Sequence, residues 1–179
     1  MMHQERPDRI RILPKYYFVV SGAALSPVSP LNAFDEALKA AGIHNLNLVK
    51  VSSILPKGVT HLKLSEEEAS TFFEEGEVVF TVQACAIGAE EEYLSAGLMW
   101  GEGLDANGFV IEHELSLPSS KPEPTMEDLR EKMVEMLELK FQEGVRIKGL
   151  RIKEQKIKTV ETFVPRDMYG CALASLILC

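Results

Sequence analysis

The chain has 179 residues, 46% hydrophobic and 26% charged, enough for one compact α/β or α+β domain with a sizeable core. Nineteen Lys and Arg against 27 Asp and Glu give a formal net charge of −8, which argues against nucleic acid as a partner and suits the steering of a cationic ligand. Three scattered cysteines (Cys85, Cys171, Cys179) without metal-ligand spacing, a polar start unlike a signal peptide, and no apolar run long enough for a bilayer lead to the expectation of a cytoplasmic protein with reduced thiols, no metal and no membrane contact.

In chain order, residues 1–14 read as a polar, loose terminus. Tyr16–Val20 reads as a buried strand and Ser21–Pro30, with its Gly, Ser and Pro, as a loop. A first helix follows, with Asn32 as cap, Asp35 at N3, Gly42 at C′, and an apolar stripe of Ala33, Phe34, Ala37, Leu38 and Ala41. Residues 45–51 alternate imperfectly as a strand that runs into Ser52 and Ser53, and Lys57-Gly58 makes a turn. Ser65 to Glu68 reads as a capping box opening a short helix through Phe73, closed by Gly76. Val78–Val82, continuing toward Ile87, is a buried strand; Leu94–Trp100 and Phe109–Leu115 are two more, joined as a hairpin over 104–108. Thr125 caps a long amphipathic helix with Asp128 at N3, Leu129, Met133, Met136, Leu137 and Phe141 inward, and Gly144 at its end. Val145–Thr162 alternates as one or two strands with a solvated face, and Met168–Leu178 is an apolar core strand. Two substantial helices and about six strands imply an α+β helix-and-sheet sandwich, a single domain over 1–179.

The chemistry concentrates at Ser52-Ser53, where a strand meets two hydroxyls and then Ile-Leu-Pro. An arbitrary Ser-Ser pair is ordinarily a surface turn. Here the Ser53 hydroxyl lies beside the Ser52 carbonyl, and a strained turn would push that planar peptide toward attack. The ester formed can eliminate, leaving a carboxylate on Ser52 and a dehydroalanine at 53, which hydrolyses to a pyruvoyl ketone. Such a ketone forms an imine with an amino acid's amine and delocalises the carbanion left by decarboxylation, the task that pyridoxal phosphate usually performs. The chain has no Gly-rich phosphate loop for pyridoxal phosphate.

Alternation puts Val110, Glu112 and Glu114 on one strand face and Phe109, Ile111 and His113 on the other. A carboxyl packed against apolar neighbours keeps its proton toward neutral pH, as a donor to a carbanion must; the residues alone do not separate Glu112 from Glu114. Asn47 reads by itself as an exposed strand residue, and Asp35 as the acid of a helix start. His3, His44, His61 and His113 form no ligand cluster.

Five blocks carry a resemblance: Pro30–Asp35, Ala41–Ile43, Asn45–Pro56, Gly108–Glu114 and Tyr169–Ala174. In this order they resemble the pyruvoyl-dependent arginine decarboxylases and cover most of the chain. The resemblance implies a four-layer αββα sandwich that cuts itself between Ser52 and Ser53. The products are a β chain, 1–52, and an α chain, 53–179, with a pyruvoyl group made from Ser53 and neither metal nor pyridoxal phosphate. It implies Glu112 as general acid and Asn47 as an aid to processing, its amide donating to the oxyanion. Asp35 would grip the substrate guanidinium, in its own or a neighbouring subunit's site. The implied reaction converts L-arginine to agmatine and CO2, for polyamine synthesis or acid tolerance, in a trimer of αβ units. Departures are Lys57 where many members have a second proline, a Glu-rich stretch at 65–75, and a longer N-terminal tail. Two rivals stand beside this reading: the same chemistry on histidine or aspartate, against which Asp35 argues, and an unprocessed relative that binds a cationic ligand or acts as a scaffold.

Overall fold

The computed structural model describes residues 12–120 and 122–179. The loose terminus expected at 1–14 therefore lies largely outside the described residues. The elements are β1 (Tyr16–Ser26), α1 (Pro30–Ala40), β2 (Asn47–Lys50), β3 (Ile54–Leu55), β4 (Thr60–His61), α2 (Glu66–Phe72), β5 (Val78–Ala89), β6 (Glu92–Gly103), β7 (Gly108–Pro118), α3 (Met126–Lys148), β8 (Ile152–Val164) and β9 (Tyr169–Leu178). One sheet has the order β2-β5-β9-β1-β4 and the other β3-β7-β6-β8. The long strands pair antiparallel; only the short β2 and β4 run parallel to their neighbours, β5 and β1.

Alternation sorts the apolar side chains into three layers, the one between the sheets extending also to Ala84, Ala86, Leu94, Ala96, Val164 and Ala172. Tyr17, Val19, Val82 and Leu176 of the first sheet gather with Leu98, Trp100 and Val110 of the second. On the other face of the first sheet, Phe18, Val20, Leu173 and Ile177 pack with Ala33 and Ala37 of α1 and Ala69 of α2. On the other face of the second, Met99 and Phe109 pack with Met133, Leu137 and Phe141 of α3. Because β9 is covered on both faces, it reads as a nearly continuous apolar run, interrupted by Ser175, rather than an alternating one. Each large side chain so buried contributes about 1.5–3 kcal/mol. The described residues thus form one mixed α+β domain with two sheets and three helices.

Three boundaries differ from the sequence reading. First, β1 continues through Ser21 and Gly22 to Ser26, because β9 pairs with it along its whole length. Gly22 is required there: a Cβ would run into the Ala37 and Ala41 backbone of α1. Second, α1 begins one turn earlier, with Ser29 as N-cap accepting from the Asn32 N–H at 3.1 Å and Pro30 in the first turn. Asp35 is therefore the sixth helical residue, not N3. Third, α3 passes through Gly144, where a Cβ would strike the Phe109 ring, and ends at Gly149, whose φ of +61° is left-handed. The capping boxes at Ser65/Glu68 and Thr125/Asp128 and the β6–β7 hairpin are as the sequence predicts.

Candidate active site

Ser52 and Ser53 lie where the chain leaves one sheet for the other. On the near side, the N–H of Val51 donates to the Thr81 carbonyl of β5 at 2.9 Å. On the far side, the Ser53 carbonyl accepts from the Val110 N–H of β7 at 3.0 Å, and β3 then pairs Ile54 with Phe109. The Ser52–Ser53 peptide is thus anchored to a different sheet at each end. Within it, the N–H of Ile54 donates to the Ser52 carbonyl oxygen at 2.9 Å, closing a three-residue γ-turn. Left-handed φ among the described non-glycine residues is confined to Glu90, Glu91 and Asp167, so Ser53 adopts the common inverse form. The feature of this turn is a polarised carbonyl rather than the strained backbone expected from sequence. A main-chain donor fixed on the oxygen that an attack would make negative is an oxyanion contact already in place, and no side-chain signal in the sequence could have revealed it.

Continuing the β3–β7 register by one residue sets Ser53 opposite Val110. Directly opposed residues share a face, so Ser53 shares the face of Val110 and Glu112. Diagonal partners of that kind lie roughly 7–8 Å apart. Glu112 pairs with Leu98, and its face is the one on which Val110, Leu98 and Trp100 meet the first sheet. Its Oε2 is buried and without a hydrogen-bond partner among the described residues. Glu114, on the same face, is engaged: its Oε1 accepts the Cys85 N–H of β5 at 2.8 Å. The two carboxyls that sequence left equivalent therefore differ. On the opposite face, Lys140 of α3 lies 2.8 Å from His113 Nδ1. Burial, and then the Lys140 ammonium, hold that imidazole below the ordinary histidine value, so the ring accepts from the ammonium.

The other two sequence candidates lie elsewhere in the chain. Asn47 opens β2, and its amide donates to the Gly76 carbonyl at 2.7 Å, while the Gly76 N–H donates to Asn45 and the Asn47 N–H to Glu77. At about 3.3 Å per residue, Asn47 is roughly 13 Å from Val51, so within one chain its amide does not reach the Ser52 carbonyl. It fastens the turn into β5 and with it the β2–β5 register. Asp35 is exposed on α1, which packs over β1 and β9, whereas Ser53 lies beyond β5. Among the described residues Asp35 has no ion pair, and a single chain does not bring it to Ser53.

An open hollow of about 280 Å³ adjoins the turn, lined by Ser52, Val51, Ile54, Phe80, Leu178 and the Ile12–Pro14 segment among others. Ile12, Leu13, Val51 and Ile54 in its lining expose apolar surface. His61 sits apart, stacked on Tyr17 with centroids 4.6 Å apart. Among the described residues no group of three or more His, Cys, Asp or Glu is placed to hold a metal.

The sequence pattern of the family described as "Pyruvoyl-dependent arginine decarboxylase (PvlArgDC)" matches residues 16–179. The chain is 33% identical over 168 residues to the pyruvoyl-dependent arginine decarboxylase of Pyrococcus furiosus, covering 93% of this chain and 96% of that protein. It is 31% identical over 160 residues to that of Methanothermobacter thermautotrophicus, 89% and 93% of the two chains. With pyruvoyl-dependent arginine decarboxylase 2 of Archaeoglobus fulgidus it shares 37% over 105 residues, 57% of this chain and 65% of the other.

Proposed function

The chain belongs to the pyruvoyl-dependent arginine decarboxylase family, and from that premise we propose that it decarboxylates L-arginine to agmatine and CO2. A pyruvoyl group made from Ser53 would supply a ketone able to take up the substrate's amine and to accept the electron pair left when CO2 departs. The residues present fit such a group. Ser53 shares a strand face with a buried, unpartnered carboxyl oxygen, and the bond to be cut already carries a donor on its carbonyl. The orphaned Oε2 of Glu112 is the observation that carries this reading.

Each residue then has a task. The Ser53 hydroxyl attacks the Ser52 carbonyl while the Ile54 N–H holds the developing oxyanion. The bond to nitrogen breaks to give an ester; its elimination leaves a carboxylate on Ser52 and a dehydroalanine at 53, whose hydrolysis releases ammonia, so that residues 1–52 become a β chain and 53–179 an α chain within one domain. Asn47 aids processing by fixing the register of β2, which aims the turn. Glu112 delivers a proton to the substrate carbon that has lost CO2. Asp35 takes the guanidinium, whose planar donors match a carboxylate. Its distance from Ser53 within a chain, together with the apolar surface around the hollow, supports a trimer of αβ units by closed symmetry, with Asp35 serving a neighbouring site. The three packed groups of side chains support a four-layer αββα sandwich. The free thiols Cys85, Cys171 and Cys179 support a cytoplasmic setting, and among the described residues no helix is long and apolar enough to cross a membrane.

Carboxyl-labelled L-arginine tests the activity. The purified protein is expected to release labelled CO2 and agmatine in equal amounts and to leave L-histidine and L-aspartate unchanged. Preferential turnover of either of those, or none of arginine, overturns the assignment.

A further inference from the structure

We infer that Glu114 is a positioning residue: a clamp between the two sheets that fixes the depth at which the Glu112 carboxyl is held. β2 pairs with β5 only over Val78–Thr81, and the N–H of Val51 adds one more bond to Thr81. Beyond Thr81 the β5 edge has no strand beside it among the described residues, and its N–H groups need acceptors. Glu114 reaches from β7 in the other sheet and takes the Cys85 N–H at 2.8 Å. A carboxylate accepting from a main-chain N–H is among the stronger single hydrogen bonds in proteins. Glu112 and Glu114 lie on one strand face, roughly 7 Å apart at two residues' rise. The bond therefore closes the flank of the space in which the unpartnered Glu112 Oε2 is buried. Without it, nothing else from the β7 side of this face is bonded to the β5 edge among the described residues, and β7 can swing away at that point. Glu112 would still be present, but displaced from the carbon it must protonate, and misplacement of about 1 Å costs about a hundredfold in rate. The inference rests on Glu112 as the proton donor and adds what holds it there.

The contact needs an acceptor of the right length, not a charge. Glu114→Gln keeps the acceptor; Glu114→Ala removes it, and Glu114→Ser, too short to span the gap, repeats the test on a polar side chain should Ala not fold. Hydrogen exchange at the Cys85 amide is read in an unprocessed Ser53→Ala background, and kcat and KM for arginine in the processed protein. The Ala or Ser variant is expected to lose Cys85 protection and about ten- to a hundredfold in kcat, with KM within about twofold. Gln is expected to recover most of both. The inference is overturned if Cys85 protection or kcat survives in Ala or Ser, if the loss falls on KM, or if Gln is as impaired as Ala. A processed Glu112→Gln variant with normal turnover sinks the proton-donor reading instead, whatever the Glu114 variants do.

Discussion

The first sheet ends in a short parallel strand on each side, β4 against β1 and β2 against β5, and beyond each the edge of the long strand is left open among the described residues. Both gaps are closed by a carboxylate taking a main-chain N–H, Glu66 on Ser21 at 3.2 Å and Glu114 on Cys85 at 2.8 Å. There the likeness ends. Glu66 is also paired with Lys158 at 2.8 Å, so its edge is neutralised. Neither Glu112 nor Glu114 has a cation paired with its carboxyl among the described residues, and one oxygen of Glu112 has no partner at all. The same edge problem is thus solved once for stability and once with a carboxyl left over beside the Ser52–Ser53 turn. Stable proteins satisfy most buried polar atoms; an unsatisfied carboxyl oxygen on the strand face shared with the polarised peptide is the feature on which the proposed reaction draws.

Substitutions at the two edges should separate these roles. The largest effect is all-or-none: Ser53→Ala removes the attacking hydroxyl and should leave the chain uncut, as seen by denaturing electrophoresis; a cut Ser53→Ala chain removes Ser53 as the nucleophile. Next, Glu112→Gln should still cut itself but lose about 10²–10⁴ in turnover, since an amide delivers no such proton. Near-normal turnover of the processed variant would move the role to Glu114. Asp35→Asn, which touches neither edge within a chain, should raise KM for arginine about ten- to a hundredfold, the worth of a bidentate charge-assisted contact at 1.4 kcal/mol per decade. The effect on a neutral substrate such as citrulline should be smaller, and equal losses on both would deny the guanidinium contact.

The smallest effect belongs to the neutralised edge. Burial alone would raise the Glu66 carboxyl, but the bonds from Lys158 and Ser21 outweigh it and hold the carboxyl below its ordinary value. Its contribution is therefore complete above about pH 4.5 and is lost as pH falls through the lower folded value. Because the pair is partly exposed, Glu66→Gln should cost at most about 1 kcal/mol at neutral pH, or roughly 2–4 °C in Tm, with turnover unchanged. His61 adds a second acid-side loss. Burial, then Lys156, holds its imidazole below the ordinary value of 6.5, so protonation favours the unfolded chain and stability should begin to fall below about pH 6.5. Melting His61→Gln between pH 7 and 5 should show a shallower decline; an identical one removes His61 as a cause.

The long strands and the two capping boxes were legible because period, turn glycines and N-cap residues agree locally. Gly144 was misleading: its lack of a side chain serves the Phe109 ring, a tertiary contact that no local rule anticipates. Ser29 and Asn32 are both good cap residues, and the start at Ser29 places Pro30 in the first turn, where proline fits. At the site, alternation correctly grouped Val110, Glu112 and Glu114, but which carboxyl is engaged depends on Cys85 in the other sheet. The Ile54 N–H on the Ser52 carbonyl is main-chain geometry and leaves no mark on the sequence. For Asn47 and Asp35 the resemblance implied roles at one site, while the fold sends them to separate faces of a single chain.

The intact mass of the freshly purified wild-type chain under native conditions tests the central claim most directly. Self-cleavage at the polarised peptide gives two fragments, one ending at Ser52, the other beginning at residue 53 and lighter than a serine-started fragment by the mass of ammonia. A single uncut mass would contradict it.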